Sequence, residues 1–235
     1  MGIKIRRAVK ADLDGIAEIY EHIHTEEESG RVCIGWIRGV YPERQTAEAA
    51  LDRGDLFVEE LDGRLAGTAI LNQLQVDTYR DAPWQYNVPD DQIMVMHTLV
   101  IDPYAPKCGL GRAFAAYYEN YALENGCLYL RIDTNAKNIN ARRFYEKLDY
   151  REIGILPCTF NGIKGVNLVL LEKSLQKLCK NRSANHSHDT SNNNGKTADG
   201  AFYFSKLHGF GSTDGVGRTS QSHSFCDWLC NMKKL

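Results

Sequence analysis

The sequence predicts an α/β (α+β) fold in which a mixed sheet is covered by helices. Two observations predict it. Over about the first 175 residues, segments with the apolar spacing of strands and of helices follow the order strand, two helices, three strands, helix, strand, helix, two strands. Glycine, asparagine and aspartate turn signals stand at several of the junctions between these segments.

The N-terminal elements are a strand and two helices. Residues 3–9 predict a short strand, and residues 12–24 predict a helix with Asp12 near its start. Residues 43–53 predict a second helix, which ends at Gly54. The apolar residues of the first helix share one face: Leu13, Ile16, Ile19, Tyr20 and Ile23.

The middle of the chain is rich in strands. Residues 56–74 predict two strands joined at Asp62-Gly63, a dipeptide typical of tight hairpins. Residues 75–92 are polar, aromatic and proline-bearing, so we expect a long loop of the kind that often covers a site. Residues 93–101 (IMVMHTLVI) predict the next strand.

The following part alternates helices and strands. Its predicted elements are a helix over 110–125, a strand over 127–133, a helix over 138–148, and strands over about 150–156 and 165–172. Asn125-Gly126 closes the first of these helices. The second helix has one apolar face, formed by Ala141, Phe144, Tyr145 and Leu148.

The character of the chain changes near Gln176. We expect residues 1–175 to form one domain and residues 176–235 to form a low-complexity, flexible tail, because the tail is polar and its aromatic residues are sparse. Two tail patterns, His186-x-His188 and His223-x-x-Cys226-x-x-x-Cys230, resemble metal-ligand spacings. Chance composition explains them more simply, so no metal site is expected.

Composition restricts the partners. The chain is 43% hydrophobic and 25% charged with a net charge of −2, which gives no basic field for nucleic acid. No apolar run has the length of a membrane span, and the N-terminus lacks the apolar core of a signal peptide. Seven cysteines at scattered spacing favour reduced thiols in the cytoplasm.

The segment PKCGLGRA, residues 106–113, lies between a strand and a helix. The first amides of that helix are unpaired donors at the positive end of its dipole, and glycines let an anion approach them. Lys107 and Arg112 add positive charge. The alternative is a tight strand–helix turn without a ligand. The P-loop pattern is absent, and a dinucleotide fingerprint would need a third glycine.

Two longer motifs favour a ligand. The segment LVIDPYAPKCGLGRAFAAYYENYA, residues 99–122, resembles the acetyl-coenzyme A binding motif of the GCN5-related N-acetyltransferases (GNAT). NINARRFYEKLDY, residues 138–150, resembles the motif that follows in this family. The resemblance covers roughly residues 3–173 and implies a mixed, mostly antiparallel central sheet flanked by helices, with acetyl-CoA as co-substrate.

The resemblance implies roles for matched positions. Asn138 would hydrogen-bond the cofactor, and Tyr145 would lie near its sulfur. The strand residues Leu99, Val100 and Ile101 would pair with the pantetheine arm, and the pyrophosphate loop would be formed by Lys107, Cys108, Gly109, Leu110, Gly111 and Arg112. Two positions depart from the family pattern. Pro106 replaces Gln or Arg, which predicts weakened cofactor binding, and Asp149-Tyr150 replaces Gly-Phe.

The chemistry needs an acid and a neutral amine. Tyr145 is the candidate acid for the departing thiolate, because its ordinary pKa near 10 keeps it protonated. Asp133 and His97 are the candidate bases, and water is the alternative if neither acts. Each residue also has a structural interpretation, as a core tyrosine, a strand-end acid and a buried histidine. A covalent route through Cys108 is disfavoured because no Cys/His/Asn arrangement is visible.

The predicted function is transfer of an acetyl group from acetyl-CoA to a primary amine of a small molecule or peptide by direct attack. The alternative is a non-catalytic acyl-CoA binding or sensing module whose tail engages a partner. We expect the acceptor to be framed by the first helices and the 75–92 loop, with Tyr79, Trp84 and Tyr86 beside several acids. The oligomeric state is open, with a homodimer as one option.

Overall fold

The computed structural model of the chain describes residues 2–176. The strands are β1 (Ile3–Arg7), β2 (Leu56–Leu61), β3 (Arg64–Asn72), β4 (Ile93–Ile101), β5 (Tyr129–Asn135), β6 (Arg151–Phe160) and β7 (Ile163–Ser174). The helices are α1 (Leu13–Glu28), α2 (Arg44–Arg53), α3 (Leu110–Glu124) and α4 (Ile139–Glu146). The predicted flexibility and the histidine and cysteine patterns of the tail lie outside the described residues.

The strands form one sheet in the order β1-β2-β3-β4-β5-β7-β6. Neighbouring strands are antiparallel except β4 and β5, which run parallel. This confirms the predicted mixed, mostly antiparallel sheet flanked by helices. The last strand ends at Ser174, so the domain boundary at 175 stays a prediction that the sheet supports.

The central parallel pair opens part-way along its length. β4 and β5 pair only from Ile93↔Tyr129 to Met96↔Ile132, although β4 continues to Ile101. A bulge lies at Thr98, whose backbone is left-handed at φ 52°. Beyond the bulge, the edge of β4 that faces β5 has no strand partner within residues 2–176, and a cleft opens between the two strands.

The two faces of the sheet pack against different helices. On one face, Met94 and Met96 pack with Phe114 and Tyr118 of α3. On the other face, Val100 packs with residues of α1 and α2 such as Ile16. Side chains alternate along a strand, so Met96 and Val100 would share a face in regular pairing. The bulge at Thr98 changes that phase and puts them on opposite faces.

Local turn chemistry follows the sequence closely. Asp62 and Gly63 join β2 and β3 with positive φ values of 50° and 82°, as the hairpin signal predicts. Gly54 ends α2 in the left-handed region at φ 76°. After α4, Asp149 adopts φ 63° where the family pattern has glycine. The expectation that aspartate can take this backbone is confirmed.

The 75–92 segment is a loop between β3 and β4, as predicted, but its aromatic residues do not frame the β4–β5 cleft as expected. It contains two short 3-10 turns, at Asp77–Tyr79 and Asp90–Gln92, and it covers one face of the sheet. The Trp84 Nε1–H donates to the Tyr79 carbonyl at 2.8 Å, and the Arg131 guanidinium lies 3.9 Å from the centroid of the Trp84 ring. These aromatic side chains are therefore held within the domain instead of presented to an amine.

A buried carboxyl on β2 affects stability. Glu59 is 0% exposed, both carboxyl oxygens lack a hydrogen-bond partner among the described residues, and burial raises its pKa from 4.5 to about 7. Because the folded-state pKa is raised, the contribution of Glu59 to the free energy of unfolding is most favourable below pH 4.5, falls as pH rises, and levels off above pH 7. Above pH 7, ionisation of the buried Glu59 lowers the free energy of unfolding by about 3 kcal/mol relative to the protonated form.

We expect Glu59→Gln to raise the free energy of unfolding at pH 8 by ~1–3 kcal/mol, because the amide needs no ionisation. The same change at Glu60 is the control. Glu60 accepts a hydrogen bond from Arg6 Nε at 2.9 Å, so Glu60→Gln should lower stability. Urea denaturation at pH 5 and pH 8 measures both effects. Equal stability of Glu59→Gln and the natural chain at pH 8 would contradict the burial argument.

Candidate active site

The cleft between β4 and β5 contains a cavity of about 110 Å³. It brings together the candidate catalytic residues Asp133, Tyr145 and His97, which come from β5, α4 and β4. Leu99 and Asn138, both predicted to contact a cofactor, also line it. The divergence of the two strands therefore exposes the end of β5 and one face of α4 to the same space.

Asp133 has the properties of a general base. Its Oδ2 accepts a hydrogen bond from the Tyr79 hydroxyl at 2.8 Å. Burial raises the pKa of Asp133 to about 7, and the hydrogen bond from Tyr79 acts in the opposite direction. The carboxyl can therefore take up and release a proton near neutral pH, which suits a general base.

Tyr145 has the properties of a general acid. It is 6% exposed, and its ring packs edge-on against Phe144 and Tyr150. Burial raises the pKa of Tyr145 well above 10, and the charge of Asp133 raises it further. Its hydroxyl forms no hydrogen bond with the described residues, and Tyr145 lines the cavity. The phenol therefore stays protonated at neutral pH and can donate into the cavity.

His97 is less suited to act as the base. Its Nε2 lies 3.1 Å from Asn72 Oδ1 and 3.0 Å from the Leu74 carbonyl oxygen, so this nitrogen is held by groups at the end of β3. Burial lowers the pKa of His97 to about 4. The structural interpretation left open by the sequence describes His97 better than the catalytic one does.

A second cavity, of about 320 Å³, continues from the first. Tyr145, Leu99 and Asn138 line both cavities. The second runs along β4 past Ile101 to Gly111, at the start of α3. Together they form one continuous groove, which we call the β4 groove, from the α3 N-terminus to the β4–β5 cleft.

The α3 N-terminus provides anion donors at the end of the β4 groove. Gly109 precedes the helix at φ 92°, and the first bond of the helix runs from Ala113 N to the Gly109 carbonyl at 3.0 Å. The amides of residues 110–112 therefore have no partner within the helix. Leu110 can contribute only its backbone, since its side chain is 3% exposed and packs into the core.

The remaining predicted loop residues surround this helix start. Lys107 and Arg112 have exposed side chains that can add positive charge. Cys108 is exposed on the turn and lines neither cavity of the β4 groove, so the geometry gives no support to a covalent route through it. Unpaired amides and nearby cations are the donors that bind phosphate groups. The residues present therefore suit the pyrophosphate of a coenzyme A molecule.

The Asn138 side chain caps α4 and leaves its amide nitrogen available for a cofactor. Its Oδ1 accepts a hydrogen bond from Ala141 N at 3.1 Å and caps α4. The amide nitrogen of the same side chain remains available, and Asn138 lines both parts of the β4 groove. A cofactor hydrogen bond at this position would therefore come from Nδ2.

The acetyltransferase (GNAT) family matches residues 16–150, a range that spans more than half of the chain. The chain belongs to the GNAT acetyltransferase family. Acetyl-CoA is the co-substrate of this family, which agrees with the predicted cofactor and with the β4 groove. Among curated proteins, no match is found.

Solved GNAT-type structures share the fold. The yncA protein of Salmonella typhimurium, solved with its cofactor acetyl-CoA, is 19% identical, with a TM-score of 0.53 over 74% of this chain and 95% of that one. A GNAT acetyltransferase from Streptococcus agalactiae is 22% identical, with a TM-score of 0.58 over 74% of this chain and 96% of its own. A ribosomal-protein-alanine N-acetyltransferase from Brucella melitensis is 17% identical, with a TM-score of 0.55 over 73% and 99%.

Sequence reasoning missed part of the wall of this GNAT site. The 75–92 segment does not line the cavity; the segment between α1 and α2 does, together with the turn between β6 and β7. Gly35 has φ 86°, which favours glycine, and a Cβ there would lie 2.3 Å from Asn135 Nδ2, so a larger residue would displace Asn135. The Tyr41 hydroxyl hydrogen-bonds Thr98 Oγ1 and ties the segment to the bulge. No local sequence pattern predicts either contact.

Within residues 2–176, none of the helices combines the length and apolarity needed to cross a bilayer. In the same range, no three His, Cys, Asp or Glu side chains come together as metal ligands.

Proposed function

We propose that this GNAT protein transfers the acetyl group of acetyl-CoA directly to a primary amine of a small molecule or peptide. One observation carries the proposal: Asp133 and Tyr145 line the same cavity, at the point where the β4 groove reaches the β4–β5 cleft. A base near pKa 7 and a protonated phenol in one cavity are two groups that can assist amine acylation by a thioester.

Asp133 and Tyr145 each carry out one of the two proton transfers of the reaction. The co-substrate supplies an acetyl thioester. Asp133 accepts a proton from the amine while its nitrogen bonds to the acetyl carbon. Tyr145 gives its proton to the sulfur as the carbon–sulfur bond breaks, which yields an amide and a free thiol. Proton transfer from Asp133 back to Tyr145 restores both groups, so the cycle balances.

The backbone of β4 contributes binding and polarisation. Beyond Met96 this edge of the strand has no β5 partner, so its peptide groups can pair with an extended pantetheine arm as a neighbouring strand would. An amide within residues 99–101 would donate to the acetyl oxygen, where negative charge develops. The apolar side chains of Leu99 and Ile101 line the same groove.

The non-catalytic alternative rests on the departures at Pro106 and Asp149 and on the aromatic tail, and it loses one of these three motives. Asp149 takes the left-handed backbone of the glycine it replaces, so this departure leaves the helix end intact. Pro106 remains a departure at the start of the pyrophosphate loop.

All four described cysteines, Cys33, Cys108, Cys127 and Cys158, are free thiols, which supports the proposed reducing, cytoplasmic location.

The test is release of free thiol from acetyl-CoA by the purified full chain with a panel of primary amines. Thiol release that depends on the amine, with the acetylated amine identified by mass spectrometry, would support the proposal. Tight acetyl-CoA binding by calorimetry without turnover of any amine would favour the sensing module. Absence of acetyl-CoA binding would contradict both functions.

The role of the α3 N-terminus is tested by Gly109→Ala. We expect the dissociation constant of acetyl-CoA to rise about tenfold, because alanine disfavours φ 92° and moves the amides that meet the pyrophosphate. Gly126→Ala is the matched control. Gly126 has φ 77° and, like Gly109, open space around its missing Cβ, but it lies at the far end of α3. Equal changes in acetyl-CoA affinity for the two variants would contradict the proposed anion site.

A further inference from the structure

An unpaired amide side chain lies in the wall of the candidate active site. Asn161 is 9% exposed, lines the cavity that holds Asp133 and Tyr145, and has a buried Oδ1 without a partner. Its carboxamide forms no hydrogen bond with the rest of the described chain. Buried polar groups in folded proteins are almost always paired, so this amide calls for a partner that enters the cavity.

The turn that carries Asn161 is held against the opposite wall. Asn161 and Gly162 connect β6 and β7 with φ values of 49° and 80°, the conformation of a tight hairpin turn. A Cβ on Gly162 would lie 3.5 Å from Val40 Cγ1, in the segment between α1 and α2. The turn therefore lies close to this segment, and both contribute residues to the wall of the cavity. The hairpin explains why asparagine suits the backbone, but it supplies no partner for the buried side chain.

The charge of the cavity restricts what can enter. No lysine or arginine within residues 2–176 lines it, and its one carboxyl group is Asp133. Much of the remaining wall is apolar, including Trp36, Phe160, Ile163, Val166 and Leu168. An anionic group bound next to the amine would meet no cation and would be repelled by Asp133, so its charge would be buried unpaired. An apolar body would meet complementary walls.

We propose that the acceptor is a small primary amine on an apolar body, without a carboxylate or phosphate beside the amine, and that Asn161 positions it. This inference rests on the proposed function. A neutral primary amine has two N–H groups and one lone pair. The lone pair attacks the acetyl carbon and one N–H faces Asp133. The second N–H would donate to the Asn161 carboxamide oxygen, which has no partner in the described chain.

The acceptor class is tested with three probes that share one side chain: 2-phenylethylamine, L-phenylalaninamide and L-phenylalanine. We expect kcat/KM for 2-phenylethylamine to exceed that for L-phenylalanine by about 30-fold or more, since the carboxylate would be buried unpaired. Equal or better use of L-phenylalanine would overturn the inference. Acetylation of L-phenylalaninamide but not of 2-phenylethylamine would also overturn the inference and would indicate a peptide-type acceptor.

The role of Asn161 is tested by Asn161→Gly, which keeps the left-handed turn accessible and removes the carboxamide. We expect KM for 2-phenylethylamine to rise about tenfold while kcat changes less and acetyl-CoA affinity is unchanged. Asp62→Gly is the matched control, because Asp62 holds the equivalent left-handed position in the β2–β3 hairpin. An unchanged KM in Asn161→Gly, or an equal rise in Asp62→Gly, would overturn the positioning role.

The experiment distinguishes failure of the proposed acceptor class from failure of the proposed N-acetyltransferase function. If L-phenylalanine is acetylated but 2-phenylethylamine is not, the proposed N-acetyltransferase function stands and the acceptor class is wrong. If acetyl-CoA binds and none of the amines is acetylated, the proposed function fails and the inference fails with it. Thermal shift with 2-phenylethylamine, measured in the presence of CoA, adds a binding readout: stabilisation of the natural chain that disappears in Asn161→Gly is the expected result.

Discussion

Replacing Tyr145 with phenylalanine is expected to lower kcat for acetyl transfer by about 10²-fold or more, while KM for the amine changes little. The variant loses only the hydroxyl that would protonate the departing thiolate. The ring contacts with Phe144 and Tyr150, at centroid distances of 5.1 and 5.5 Å, remain available to phenylalanine. Steady-state thiol release measures the effect, and unchanged melting would show that the fold is intact.

Tyr150→Phe is the matched control for this experiment. Tyr150 is also buried, its hydroxyl lacks a partner among residues 2–176, and its ring contacts Tyr145. It lines neither part of the β4 groove, so its variant should retain the natural rate. A full rate in Tyr145→Phe would remove Tyr145 from the proposed mechanism.

Asp133→Asn is expected to lower kcat/KM by about 10²-fold and to change its pH dependence. Because the pKa of Asp133 is raised to about 7, the base is protonated and inactive below that pH. For an amine whose own protonation is corrected for, the natural chain should gain activity as pH rises through 7 and then level off. Asparagine cannot accept the proton, so this rise should disappear in the variant.

The variant Tyr79→Phe distinguishes titration of Asp133 from titration of other groups in the pH–rate profile. The Tyr79 hydroxyl donates to Asp133 and lowers its pKa, against the larger effect of burial. Removal of this hydroxyl should move the midpoint of the pH–rate profile to higher pH without abolishing activity. A midpoint that stays in place in Tyr79→Phe, or a rise through pH 7 that persists in Asp133→Asn, would exclude Asp133 as the base.

Most of the fold could be predicted because its signals are local. The amphipathic spacing of Leu13 to Ile23, the Asp62-Gly63 hairpin and the glycine after α2 depend on residues that are close in the chain. The structure has all three. The loop over 75–92 is also predictable, but the positions of its aromatic side chains depend on distant partners, such as the Arg131 guanidinium over Trp84.

The candidate site was predictable to a smaller extent. Tyr145 and Asn138 could be assigned from a motif, whereas the shift of the Asp133 pKa depends on burial and on Tyr79, 54 positions earlier. Asn161 was overlooked although Asn161-Gly162 is a strong hairpin signal. That signal predicts the turn, but it contains no information on the wall against which the turn packs.

The bulge at Thr98 has a consequence for how this strand tolerates change in length. Deleting one residue there would restore uninterrupted alternation, and Leu99, Val100 and Ile101 would each exchange one side of the sheet for the other. Val100 would leave the layer beneath α1, and Leu99 would leave the groove. Homologous strands can therefore vary in sequence here far more readily than in residue count, and an insertion or deletion in this stretch should be among the least tolerated in the chain.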